Sequence, residues 1–217
     1  SLYKISTKDG AVSQATGIDG TVNQVLIFDN NQIIFYGNGA EIFFADKGNF
    51  VPQKKTLALP EGERAIGTAI YNKKLYLLGE KNIYSYAYNN GYDKPTAWLK
   101  QETNILGNNS IAVDGNIWLA AVNGEISRLF MGKKEKFTLA GLYEPISKET
   151  RIYTADGLNN LYLLDQEKNR ITITNKQGKV LRQILGDNLD KIAAIVPGVG
   201  EKELYILTKS GLYKLGL

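Results

Sequence analysis

The sequence predicts an all-β chain, a β-propeller of four-stranded antiparallel blades, most simply five of them, stacked side by side around a shared axis. Three observations carry this expectation. Five compact apolar segments, "IIFYG", "LYLLG", "IWLAA", "LYLLD" and "LYILT", start at Ile33, Leu75, Ile117, Leu161 and Leu204, so that the starts are 42, 42, 44 and 43 residues apart. Each segment belongs to a unit of short strand-length runs separated by Gly, Asn and Asp turn signals. No stretch sustains the 3.6-residue apolar period of a helix. A period of about 40–45 residues with four strands per unit is the pattern of a propeller blade, which cannot bury both faces alone and must stack on its neighbours. A β-sandwich is the competing architecture, but it has no need of near-equal spacing.

The unit over 149–188 shows the elements in order. A first strand "RIYTAD" spans 151–156, a second "LYLLD" 161–165, a third "RITITN" 170–175 and a fourth "KVLRQI" 179–184. The second is apolar at nearly every position, as suits a strand covered on both faces. The third alternates, with Ile171 and Ile173 on one side and Thr172 and Thr174 on the other. First strands carry small residues (Ala65, Gly67 and Ala69; Ala112; Ala155; Ala193 and Ala194), which fit where sheets crowd about an axis. The units fall at about 18–60, 61–105, 106–148, 149–188 and 189–217, the last completed by 1–17, and together they form a single domain.

The ends of the chain refine this. "LYKISTKDGAVSQ" (2–14) aligns with "ITITNKQGKVLRQ" (171–183) as third and fourth strands, with Gly10 matching Gly178. The last unit stops after its third strand, "LYKLG". The economical expectation is that "AVSQ" supplies the missing outer strand, so that N- and C-terminal strands pair, close the ring and cover an edge. One third strand is then surplus, which leaves open a five-stranded closing blade, an unpaired tail or a larger ring. The chain opens at Ser1 without a methionine and is expected to be an excised or processed piece.

Composition removes whole classes of chemistry. A chain of 217 residues buries roughly 70% of its unfolded surface and needs no covalent staple. It has no cysteine, so there are no disulfides, thiolate metal sites or cysteine nucleophiles, and no histidine, so there is no Ser-His-Asp arrangement. The net charge of +4 is mild and its lysines are scattered in pairs, which permits contact with nucleic acid without indicating it. No apolar run approaches the ~18 residues of a membrane span. Nothing in the sequence calls for a cofactor, and no alternating acidic run offers a calcium loop.

The fourth unit resembles the NHL repeat. Its "LYLLD" strand, the Asn169-Arg170 pair, the apolar strand from Ile171 and the turn at Gly178 fall where that family places them, around Leu161, Tyr162 and Asp165. The other units keep the spacing without the signature, so the resemblance extends to NHL-like and tryptophan–aspartate-repeat-like propellers broadly. It implies a binding module, most often for proteins and sometimes for RNA.

Candidate contact residues follow from two stretches. "IYSYAYNNGYDKPTAW" is the least repeat-like part of the chain and concentrates Tyr84, Tyr86, Tyr88, Tyr92 and Trp98, residue types favoured at recognition surfaces, although an ordinary aromatic ladder on one sheet face with a hairpin loop attached is the plainer reading. Lys168 and Arg170 flank the second-to-third-strand turn of the fourth unit, where an arginine can grip a carboxylate or phosphate with two donors. A local ion pair that holds the turn is the plainer reading of these two. Tyr76, Trp118, Tyr162 and Tyr205 recur at the second position of the second strand and are read as packing between blades. "KKEKF" from Lys133 reads as a solvated basic hairpin tip. Acids near first strands, Asp19, Asp114, Asp156 and Asp190, are the candidates for a carboxylate-dependent glycosidase, although Asp114-Gly115 and Asp156-Gly157 are also ordinary turn pairs. The expectation is therefore a non-catalytic scaffold that recognises a protein partner, or another domain of its parent chain, through one face. Carbohydrate binding or a glycosidase is the alternative.

Overall fold

A computed structural model describes residues 2–5, 9, 11–15, 22, 24–27, 32–36, 40–46, 53–88, 92, 94–100, 103–186 and 192–217. The second strands show most directly why these residues form stacked sheets. In β8 (Lys74–Gly79), Leu75 and Leu77 point into a core shared with the preceding sheet, while Tyr76 and Leu78 point into a core shared with the next. The same alternation runs through β12 (Ile117–Ala121), where Ile117 and Leu119 face back and Trp118 and Ala120 face forward. It recurs in β16 (Asn160–Asp165), where Leu161 and Leu163 face back and Tyr162 and Leu164 forward. Because side chains on a strand alternate sides, an all-apolar strand is stable only between two other layers.

Around these strands lie four sheets of four strands, each in simple meander order. The first holds β3 (Gln24–Ile27), β4 (Gln32–Tyr36), β5 (Glu41–Asp46) and β6 (Gln53–Thr56). The second adds β7 (Ala65–Tyr71), β9 (Ile83–Ala87) and β10 (Pro95–Ala97) to β8. The third adds β11 (Asn108–Val113), β13 (Ile126–Phe130) and β14 (Lys133–Glu135) to β12. The fourth adds β15 (Thr150–Tyr153), β17 (Arg170–Asn175) and β18 (Val180–Leu185) to β16, within one or two residues of the expected ends except that β15 stops at Tyr153. A fifth sheet has three strands, β19 (Ala194–Pro197), β20 (Glu203–Leu207) and β21 (Leu212–Gly216). One apolar core lies at each joint between consecutive sheets. The first strands approach one another, β11 lying against both β7 and β15, and Gly67 would place a Cβ only 3.5 Å from Ile111 Cγ2. Small residues fit such a convergence, although 3.5 Å is itself an ordinary contact distance. The fold is a β-propeller.

Among the described residues the N- and C-terminal strands do not pair with each other as the expected closure requires. β1 (Leu2–Ile5) and β2 (Val12–Ala15) pair with each other, Leu2 opposite Ala15 and Ile5 opposite Val12, as a separate hairpin. Among the described residues β21 pairs with β20 alone. The physical reason is local: "LYKIS" and "AVSQ" are consecutive third- and fourth-type strands, and an adjacent partner pairs at a lower loop-closure cost than a distant one.

Candidate functional site

A meander of this order puts the second-to-third-strand turns and the connections between sheets at one end of every sheet. The opposite end carries the first-to-second and third-to-fourth turns. On the first of these faces, the turn after β12 is held from both sides. The Val122 amide donates to the Gly107 carbonyl at 2.8 Å, and Gly124, at φ +80°, sits so close to Ile146 that a Cβ would lie 2.3 Å from its carbonyl oxygen. Asn109 Nδ2 donates to the Lys148 carbonyl at 2.9 Å and ties the next connection down. On this braced framework Leu106, Val122 and Tyr143 are 68%, 53% and 90% exposed, and Leu185, at the end of β18 on the same face, is 67% exposed.

The connection bearing Tyr143 is fixed to the fourth sheet by a buried ion pair. Arg170 opens β17 and Asp165 closes β16, directly opposite in register, and the two are 2% and 0% exposed. Arg170 Nη2 donates to Asp165 Oδ2 at 2.7 Å and to the Pro145 carbonyl at 2.8 Å, and Nη1 donates to the Glu144 carbonyl at 3.1 Å. The Ser147 hydroxyl and backbone amide both donate to Asp165. Burial pushes the Asp165 carboxyl upward, but the donors from Ser147 and Arg170 outweigh it and hold it below the usual carboxylate range. Lys168 completes the clasp, its Nζ 3.0 Å from Glu144 Oε2 and 3.0 Å from the Pro145 carbonyl. A second clasp lies at the other end of the sheets. Glu201, at φ +55° in the 3-10 turn Val199–Glu201, accepts from the Asn159 and Asn160 amides, from Asn159 Nδ2 and from the Tyr162 hydroxyl.

These contacts redistribute the candidate residues. Arg170, a candidate two-pronged ligand contact, instead forms the plainer alternative, a local ion pair: both Nη atoms bond inside the protein, Nε is buried without a hydrogen-bond partner among the described residues, and Lys168 is its companion in holding the connection. Tyr86 and Tyr92 are fully buried and join the core between the first and second sheets. The Tyr86 hydroxyl donates to the Ala58 carbonyl at 2.7 Å, and burial pushes its pKa up to about 12. Tyr92 stacks on Phe44 at 5.8 Å and meets Tyr88 edge-on at 5.3 Å. Of the aromatic set only Tyr88 is exposed; Trp98 packs at the different joint between the second and third sheets. The stretch is an aromatic core with one exposed rim, because alternate residues of β9 face the neighbouring sheet.

Three of the four recurring aromatics bear out the packing reading: Tyr76, Trp118 and Tyr162 are buried, and Trp118 Nε1 donates to Asp114 Oδ1 at 3.0 Å, whereas Tyr205 in the last sheet is half-buried and donates its hydroxyl to Glu203. Asp114 also accepts from the Asn116 amide and pairs with Lys176, so it is a structural turn residue. Asp156 is exposed in a turn, and Asp19 and Asp190 lie outside the described residues. Among the described residues no three His, Cys, Asp or Glu side chains converge as a metal site. None of their helices is long and apolar enough to cross a membrane. The exposed apolar group on the turn face had no signal in the sequence: Leu106, Val122, Tyr143 and Leu185 look like any other apolar residues at strand ends.

No protein-family model matches the sequence, and no curated protein matches it. Solved structures do resemble it. The chain aligns over 96% of its length with PorZ, a bacterial surface component of the type-IX secretion system of Porphyromonas gingivalis, at a TM-score of 0.65 and 20% identity. It spans 27% of that PorZ chain. It aligns over 99% of its length with virginiamycin B lyase from Staphylococcus aureus, covering 73% of that chain at a TM-score of 0.63 and 17% identity. The WD40 β-propeller domain of Doa1 aligns over 99% of this chain and 69% of its own, at a TM-score of 0.57 and 12% identity. The stacked four-stranded sheets and these likenesses together show that the chain has the β-propeller fold.

Proposed function

We propose that this protein is a non-catalytic binding module that takes a protein partner, or a neighbouring domain of its parent chain, on the face built from its second-to-third-strand turns and sheet connections. The observation that carries the reading is the exposure of Leu106, Val122 and Tyr143 on loops that are already immobilised. Exposed apolar side chains grouped on one face mark interaction surfaces. Tyrosine is favoured at such surfaces because it offers a large area with a polar tip. Loops held by the Arg170–Asp165 clasp and by the contacts of Gly124 lose little conformational freedom when a partner docks, so more of the contact energy becomes affinity.

Site-specific photo-crosslinking in the native host tests this. A benzophenone side chain at position 143 is expected to give discrete protein adducts, and one at Val199, in a turn on the opposite face, is expected to give none. Val122→Asp should abolish the adducts at 143 without lowering the melting temperature. Equal adducts from both faces, or none at 143, would defeat the reading.

A further inference from the structure

The basic stretch from Lys133 does not form the solvated tip that its sequence suggests. The hairpin turn lies at Met131-Gly132, Lys133–Glu135 is strand β14, and the chain then crosses towards the fourth sheet. There it runs alongside the turn between β17 and β18. The Ala140 amide donates to the Gly178 carbonyl at 2.8 Å, and the Val180 amide donates to the Ala140 carbonyl at 2.9 Å. A Cβ on Gly178, whose φ is +91°, would lie 2.1 Å from the Thr138 carbonyl oxygen. Asn175 Oδ1 accepts from the Gln177 and Lys179 amides and fixes the turn from within. Between strap and turn is a cleft of about 360 Å³ lined by Arg128, Lys136, Phe137, Thr138, Lys176 and Gln177.

Three of these six side chains are cations and none is an acid. Lys176 reaches across the joint to Asp114 Oδ2 at 2.5 Å, with that carboxylate almost wholly buried. Arg128 lies in register between Trp118 and Glu135 and gives both Nε and Nη2 to a single oxygen of Glu135. Lys136 has no carboxylate partner among the described residues. Three positive charges thus stand against two carboxylates, both of which lie outside the cleft lining. Phe137 packs edge-on against Trp118 at 5.1 Å and gives the cleft a fixed apolar wall. The Thr138 hydroxyl and the Gln177 amide add donors.

We propose that this cleft binds a compact oxyanion, phosphate or carboxylate, carried on a small planar or apolar group. The oxyanion pairs with Lys136 and approaches the guanidinium of Arg128 and the ammonium of Lys176; the apolar group lies against Phe137. Charge-assisted hydrogen bonds supply the strength, and the clamped turn supplies the geometry in advance. The site is separate from the apolar turn face and does not depend on the reading given to that face.

The test is titration of the whole protein with phenyl phosphate and, separately, with benzoate, followed at backbone amides by heteronuclear NMR. The two arms distinguish a phosphate site from a carboxylate site. Saturable shifts confined to 136–138 and 176–178 are expected for at least one probe. Lys136→Gln should weaken that binding about tenfold, the worth of one charge-assisted hydrogen bond. Glu135→Gln should tighten it several-fold, because it frees Arg128, whereas Glu144→Gln, which removes an equal charge from the distant clasp, should change nothing. The proposal is overturned if neither probe saturates, if shifts spread over lysines generally, or if Glu144→Gln tightens binding as much as Glu135→Gln.

Discussion

Replacing Arg170 by methionine keeps most of the side-chain volume and removes the guanidinium that joins Asp165 to the connection before β15. Three acceptors lose donors: the carbonyls of Glu144 and Pro145 and the carboxylate of Asp165. Glu144 and Pro145 are exposed residues whose carbonyls can turn to water, so their loss costs little. Asp165 is 0% exposed and keeps only the Ser147 donors and a long contact from the Lys168 amide. Removing one partner of a buried pair leaves an uncompensated charge and costs about 3–5 kcal/mol. That is a large fraction of a domain stability of about 5–15 kcal/mol. Urea unfolding followed by the fluorescence of Trp98 and Trp118 measures the loss. The double variant Asp165→Leu/Arg170→Met is expected to be more stable than Arg170→Met alone, since no charge is stranded. The single variant should also reduce crosslinking at position 143, because the loop that carries it is released. A cost below about 1 kcal/mol for Arg170→Met, or a double variant as unstable as the sum of its parts, would refute the reasoning.

Two further outcomes follow from the same geometry. Asp165 and Glu201 both have carboxyls held below their usual range, because donated hydrogen bonds outweigh the upward push of burial. A depressed folded-state pKa stabilises fully above the unfolded value and is lost as pH falls through the folded one. Stability should therefore be flat near neutrality and decline below about pH 4, in the range of the unperturbed carboxyls, with a shallower decline in Glu201→Gln, as urea midpoints across a pH series would show. Gly178→Ala should destabilise far more than Gly157→Ala. Both glycines have positive φ, which costs an alanine about 1 kcal/mol, but only Gly178 lies against a backbone oxygen, whereas Gly157 faces open space. Comparable melting temperatures for the two variants would show that the Thr138 contact is unimportant.

The repeat was legible because it is written in local periods. Near-equal spacing and second strands such as "LYLLD", apolar at alternate and intervening positions alike, require sheets covered on both faces wherever the chain travels. The strands of the fourth unit, the inter-blade packing of Tyr76, Trp118 and Tyr162, and the propeller itself are consequences of that pattern. Which polar and aromatic side chains reach solvent is not a local property. Arg170 is chemically a ligand-binding residue; it is buried because its cross-strand partner is Asp165 and the neighbouring connection presents two carbonyls to it. Tyr86 and Tyr92 are enclosed by the first sheet, and Tyr143, unremarkable in sequence, projects because its loop is anchored on either side. The partners of the terminal strands were not fixed by pattern either, since "AVSQ" matches a fourth strand equally well beside β1 or β21; the shorter loop to β1 decided it. Side-chain periodicity determined the layers; contacts between residues distant along the chain decided which groups face outward.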